Sequence, residues 1–265
     1  MELVMVTVTT VYEQMNAGTT SPMLVEDAEH KKYIMKYIHD GWEGKFLFNE
    51  LISARMAEYL GLPTPAFKIG NLSKSIISNN VVLSSLNAQS GSVFLSEYRK
   101  GITIQNDKIL AHAKNNKKYG DIIFFDQLLN NVDRGQNEGN WFFDQKTHRL
   151  MIFDHTHVFR IGQLWDQISL QQDQILPMEI RPEFSESLYL NILNNITEDT
   201  PFYGITRKLA RLDDVSIAQM IQDVPAEWGI LPEDMSAMEQ FLNFQVGNAT
   251  TIEGLLNSHL KWVGK

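Results

Sequence analysis

The chain has 265 residues, 43% of them hydrophobic and 10% aromatic, with a formal charge of −9. That length suits one large domain or two lobes with a substantial core, and the acidic balance argues against broad nucleic-acid binding, which needs clustered Lys and Arg. The absence of cysteine excludes disulfides and thiolate chemistry and fits a reducing compartment.

In chain order, residues 3–12, "LVMVTVTTVY", are β-branched and predict a strand; with no basic leader, this N-terminus does not read as a signal peptide. After the small-residue turn "NAGTTS", "PMLVED" predicts a second strand, and the alternating "KKYIMKYI" (31–38) a third that contains Lys36. From Lys45 to Leu60 the apolar residues Leu47, Leu51, Ile52, Met56 and Leu60 follow helical spacing, and Gly61 and Pro63 stop the helix. "AFKIGNL", "NNVVLSSL" and "GSVFLSEY" read as three further strands. Beyond about residue 101 the character changes. "DIIFFDQLLNN" (121–131) is apolar enough for a buried helix, "NWFFD" and "HRLMIFD" form a hairpin across "QKT", and helical patterns dominate from about 165 onward. The expectation is an α+β chain of two lobes, β-rich over residues 1–100 and mainly helical over 101–265. No apolar run reaches the length of a membrane span, so the expectation is a soluble cytoplasmic protein with no membrane or nucleic-acid partner.

Several residues in this order suit a nucleotide's phosphates and a divalent cation. Gly18, Thr19, Thr20 and Ser21 lie between two predicted strands, where backbone amides and hydroxyls can cover phosphates; the plain alternative is a polar hairpin turn. Lys36 sits in an apolar strand, and if it shares a face with Ile34 it points toward the core and needs a partner. Glu50, in the first turns of the helix that follows, can be that partner. Asp133 and Arg134 follow the buried helix, and the hairpin returns Asp154 close to Asn140, two oxygen donors suited to a hard cation. Asp and Asn are also ordinary turn formers, so each of these alone carries little weight.

The ordered set resembles the HipA-like kinases, within the protein-kinase-like and phosphatidylinositol-kinase-like superfamily. "NNVDRGQNEGNWFF" followed by "HRLMIFDHT" is similar to that family's catalytic stretch, and its D-R-G and N-W steps also resemble type II phosphatidylinositol 4-kinases. "YIMKYI", "GKFLFNELISARMAEYLGLPTP", "FLSEYRKG" and "VPAEWGI" resemble further family segments, so the likeness spans nearly the whole chain. It implies a kinase-like fold with ATP and Mg²⁺ between two lobes and phosphoryl transfer to a hydroxyl-bearing acceptor, a Ser or Thr of a protein being favoured. Lys36 would meet the phosphates and pair with Glu50, Asp133 would be the catalytic aspartate, Asp154 a metal ligand, and the backbone near Glu97 and Tyr98 the adenine site. The family places its metal-binding asparagine five positions after the aspartate. Here that position is Glu138, which leaves Asn140 as the favoured ligand and Asn137 as the second choice.

That departure keeps a pseudokinase binding module among the alternatives, beside a lipid or small-molecule kinase and a nucleotidyl transferase. The chain reads as shorter than HipA itself, so toxin behaviour and an antitoxin partner are not carried over. The His155-x-His157 pair invites zinc, but no further ligand lies nearby. The other histidines, His30, His39, His112, His148 and His259, read as surface residues, and Trp42, Trp141, Trp165 and Trp228 as packing anchors.

Overall fold

Alternating valine and threonine at the start of the chain form strand β1 (Val6–Gln14), whose partners show where its apolar side goes. The computed structural model describes residues 5–15, 19–104, 107–135, 140–175, 178–262 and 264. The chain divides into two units: Met1–Leu51, Pro65–Arg99 and Asp223–Ile230 make the first, and Ile52–Thr64, Lys100–Gln222 and Leu231–Lys265 the second.

After β1 come β2 (Met23–Asp27), β3 (Lys32–Lys36), helix α1 (Gly44–Leu60), β4 (Phe67–Leu72), the short helices α2 (Lys74–Ser78) and α3 (Val81–Ser85), and β5 (Gly91–Glu97), all in the first unit except the part of α1 from Ile52 onward. The strands close a barrel in the order β1-β2-β3-β5-β4, antiparallel except where β1 meets β4. Closure leaves no exposed sheet edge. Val8, Val25, Tyr33, Met35, Tyr37, Val93 and Leu95 fill its interior, joined by Leu83 from α3.

This arrangement corrects one expectation. "NNVVLSSL" is helical, because Ser73 and Asn80 cap two successive turns: the Ser73 hydroxyl accepts from the Ile76 amide at 3.2 Å and the Asn80 amide oxygen from Leu83 at 3.0 Å. Cap chemistry overrides the β-propensity of two valines. On β3 the barrel interior takes Tyr33 and Met35, so Lys36 lies on the opposite face and is buried there.

The segment around Trp228 joins this unit from far along the chain. Its indole Nε1 donates to the Ser92 carbonyl at 2.9 Å, and its backbone passes so close to Gly44 that a Cβ on Gly44 would overlap it. Glycine is required there by the approach of two backbones, not by φ.

In the second unit, β6 (Gly101–Thr103), β7 (Trp141–Asp144) and β8 (Arg149–Ile152) form a small antiparallel sheet in that order. The remaining elements are α4 (Asp107–Ala111), α5 (Tyr119–Leu128), α6 (Gln167–Ile175), α7 (Ser187–Asn194), α8 (Tyr203–Leu209), α9 (Asp214–Ile221), α10 (Pro232–Gly247) and α11 (Ala249–Trp262). Every residue of α5 is buried, with α7, α8 and α11 packed around it. The β7–β8 turn is set by Asp144, whose Oδ1 accepts the amides of Lys146 at 2.7 Å and Thr147 at 3.1 Å. Trp141, Trp165 and Trp228 are buried, as packing anchors should be. Among the described residues, no helix is long and apolar enough to cross a membrane.

Gly44→Ala should lower stability by about 1–3 kcal/mol, since one backbone must move aside. Gly254→Ala, in mid-α11 with nothing within 4 Å of the added carbon, should raise it by about 0.5–1 kcal/mol. Urea unfolding of the two variants beside the wild type measures both effects.

Candidate active site

In the first unit, Lys36 Nζ meets Glu50 Oε1 at 2.7 Å, with both side chains buried. Strand β3 supplies the lysine and the second turn of α1 the glutamate. Taking these charges out of water is tolerable only with paired partners. The pair fixes the ammonium's position and direction.

The turn between β1 and β2 is closed by the Met15 amide donating to the Pro22 carbonyl at 2.8 Å. Gly18 lies outside the described residues. Thr19 is exposed, Ser21 has a positive φ of 48°, and Thr20 is buried with its carbonyl 3.0 Å from His39 Nε2. The Thr20 hydroxyl is enclosed, so among the described residues of this turn Thr19, Ser21 and backbone groups are the ones left to face outward. His39 is itself buried, its ring tilted 44° against that of Tyr37 at 5.0 Å, which corrects its reading as a surface residue: the ring is needed inside to tie the turn to the strand end.

At the end of β5 the Glu97 amide donates to the Ala66 carbonyl at 2.7 Å and the Tyr98 amide to the Lys32 carbonyl at 3.0 Å. Both hydrogens are engaged within the barrel. The Glu97 carboxylate pairs with Lys31 at 2.8 Å and Arg99 at 3.0 Å.

In the second unit the loop after α5 is organised around one buried ion pair. Arg134 Nε donates to both carboxylate oxygens of Asp126, at 2.8 and 3.0 Å, with both side chains fully buried. Asp126 also accepts from the Tyr189 hydroxyl at 2.9 Å and the Asn131 amide at 3.0 Å. Arg134 Nη1 donates to the carbonyls of Asn140, at 2.8 Å, and Phe153, at 3.0 Å, so one guanidinium holds both strand ends of the hairpin. Burial works against the Arg134 charge, but the Asp126 carboxylate and its hydrogen bonds outweigh it and raise the pKa above the ordinary value. Burial, and next the Asp126 charge, push the Tyr189 phenol well up, so it remains a donor. Gly135 is needed beside this cluster: a Cβ there would lie 2.6 Å from the Tyr189 ring.

This frame places Asp133 and Asn140. Asn131 Oδ1 accepts the Asp133 amide at 3.0 Å, turning the loop so that the Asp133 carboxylate is half-buried instead of enclosed. The Asn140 amide donates to Asp133 Oδ2 at 2.6 Å, which directs its own oxygen elsewhere. The Phe153 amide donates to the Asn140 carbonyl at 3.2 Å. Asp154 follows directly, in the left-handed region at φ 56°, with Oδ1 accepting the Thr156 amide at 3.3 Å. An aspartate tolerates that conformation only at a cost, which is common where a side chain's aim matters.

Asn137 lies outside the described residues. Among the described residues no group of three or more His, Cys, Asp or Glu side chains is placed to hold a metal alone. A cation on Asp154 and Asn140 would complete its shell with water and phosphate oxygens, the habit of Mg²⁺ and not of zinc. His155 is buried edge-on against Phe125 at 5.6 Å.

Asp126, Asn131 and Tyr189 shape the site without being among its sequence-based candidates. Asp126 had a legible signal, an acid inside an otherwise apolar helix, which must find a cation. Arg134→Ala should cost about 3–5 kcal/mol in urea unfolding, because Asp126 is left buried and charged. The Asp126→Ala/Arg134→Ala double variant should lose less than the sum of the two single losses.

A family model described as HipA-like kinase matches residues 8–252. No curated protein matches the sequence. Among solved structures, the Helicobacter pylori proinflammatory kinase CtkA superposes with a TM-score of 0.57 at 13% identity, covering 97% of each chain. The Golgi casein kinase with Mn/ADP bound gives a TM-score of 0.46 at 13% identity, over 97% of this chain and 75% of that one. With the family model covering nearly the entire length, and a kinase fold shared end to end with CtkA, the chain belongs to the HipA-like kinase family.

Proposed function

We propose that this protein transfers the γ-phosphoryl group of ATP, with Mg²⁺, to the hydroxyl of a Ser or Thr in another protein. The observation that carries the reading is the Asp133 carboxylate, held by the Asn140 amide at 2.6 Å on a loop locked by the Asp126–Arg134 pair. A half-buried carboxylate fixed on one oxygen keeps the other for an acceptor. That group orients an incoming hydroxyl and takes its proton as the new P–O bond forms and the bond to ADP breaks.

Lys36, aimed by Glu50, supplies a positive charge for phosphate oxygens. Asp154 and Asn140 are the oxygen donors that would hold the cation. When bound, Mg²⁺ neutralises charge on the phosphate oxygens. Among the described residues of the β1–β2 turn, Thr19, Ser21 and the nearby amides are the groups left to cover phosphates. At the end of β5, with the Glu97 and Tyr98 amides already engaged, an adenine edge would be met by carbonyl oxygens.

Purified protein incubated with Mg²⁺, γ-labelled ATP and protein acceptors should transfer label, and chelation with EDTA should stop it. Asp133→Ala should reduce the rate by about 10²–10⁴-fold, with the urea midpoint close to wild type because Asp133 lies outside the buried pair. Asp154→Asn should weaken Mg²⁺ dependence and the rate together. Transfer undiminished in Asp133→Ala would remove that residue from the mechanism.

A further inference from the structure

A cavity of about 380 Å³ opens in the second unit, lined among others by Gln127, Asn130, Arg160, Asp173, Arg181 and Gln245. None of these residues has a role in the proposed transfer. At its wall Arg160 Nη2 meets Asp173 Oδ1 at 2.7 Å, and the Asn130 amide donates to Asp173 Oδ2 at 3.1 Å. The pair is lopsided: the Asp173 side chain is 5% exposed and that of Arg160 45%. A guanidinium carries five N–H donors in a fixed fork, and Arg160 makes no other side-chain hydrogen bond among the described residues. Gln245 is buried at 4% exposure, and its side-chain amide has no partner among the described residues. The cavity therefore presents unused donors from a cation and a buried amide.

The wall is held rigidly. Asn130, Phe159 and Arg160 have φ of 50°, 58° and 68°, a region that non-glycine residues occupy only when their surroundings enforce it. Here the Phe159 amide donates to the Leu129 carbonyl at 2.7 Å and the Arg160 amide to the Asn130 carbonyl at 3.0 Å. These bonds clamp the segment that follows Asp154 onto the segment that leads to Asp133. Asn130 and Asp133 lie three positions apart, a Cα span of at most about 11 Å.

We propose that this cavity recognises an acidic side chain of the protein acceptor: Arg160 binds the incoming carboxylate, Gln245 adds a hydrogen bond, and Asp173 holds Arg160 in readiness until the acceptor arrives. The proposal deepens the protein-acceptor reading above and rests on it. An extended peptide advances about 3.3 Å per residue, so the acidic determinant lies within about three or four residues of the hydroxyl. Asp173 is the internal competitor. Burial outweighs the Arg160 charge and the Asn130 hydrogen bond and leaves its pKa above the ordinary value.

The test is a binding measurement that does not need turnover. Fluorescent single-serine peptides carrying Glu, Gln or Lys at each position from four before to four after the serine are titrated with the full chain and followed by anisotropy. One Glu position should bind roughly tenfold or more tightly than its Gln counterpart, the range of a charge-assisted hydrogen bond. Arg160→Ala should erase that preference, whereas Asp173→Asn should enlarge it by freeing the guanidinium. Arg160→Gln, the milder variant, should also erase it, and reads the site alone if Asp173→Asn lowers the unfolding midpoint. A merely structural pair would move both variants the same way. Equal binding of Glu and Gln peptides at every position, or a preference untouched in Arg160→Ala, would overturn the assignment. An intact acidic preference without γ-phosphoryl transfer would instead count against the kinase reading and leave the pocket standing.

Discussion

The buried contact between Arg134 and Asp126 is the constraint on which the second unit's site depends. Two full charges without solvent are stable only when each finds several partners. Asp126 finds Arg134, Tyr189 and Asn131, while Arg134 finds Asp126 and the carbonyls of Asn140 and Phe153. Satisfying these charges fixes the end of α5, the start of β7 and the end of β8 at once. The catalytic candidates need no separate device. Asp133 lies one residue before the arginine, Asn140 offers the carbonyl it grips, and Asp154 follows the other carbonyl.

The first unit uses the same economy with a smaller part list. A closed barrel gives rigid strands, and on the outer face of β3 one lysine is buried against one glutamate of α1. The barrel depends on a residue far away in sequence: Trp228 donates to β5, and its backbone leaves room for nothing but glycine at the start of α1. A late segment of the chain, with Trp228 as its packing anchor, is thus part of the support for the helix that carries Glu50.

Much of this was legible in the residues. The alternation of "KYIMK", the helical spacing after Gly44 and the apolar "DIIFFDQLL" state their elements through periodicity, which local sequence encodes directly. The contact between Asp133 and Asn140 was within reach of the sequence because only seven positions separate them. What was not legible has two physical causes. Helix α3 carries strand-like valines, and only the Ser73 and Asn80 caps turn the segment into helices. Asp126 meets Tyr189 across 63 positions, the cavity around Asp173 joins residues still farther apart, and no local pattern encodes such meetings. The burial of His39 belongs to the same group, since its partner Thr20 lies across a hairpin.

The central claim is that this frame serves phosphoryl transfer, and the fate of the nucleotide tests it most directly. The protein would be incubated with Mg²⁺, a cell-extract acceptor pool and ATP labelled on either the α- or the γ-phosphate, and both the nucleotide products and the labelled macromolecules would be identified. The account predicts ADP as the product and label on protein from the γ-position alone. Release of pyrophosphate with α-label on protein would contradict it and assign the same residues to nucleotidyl transfer.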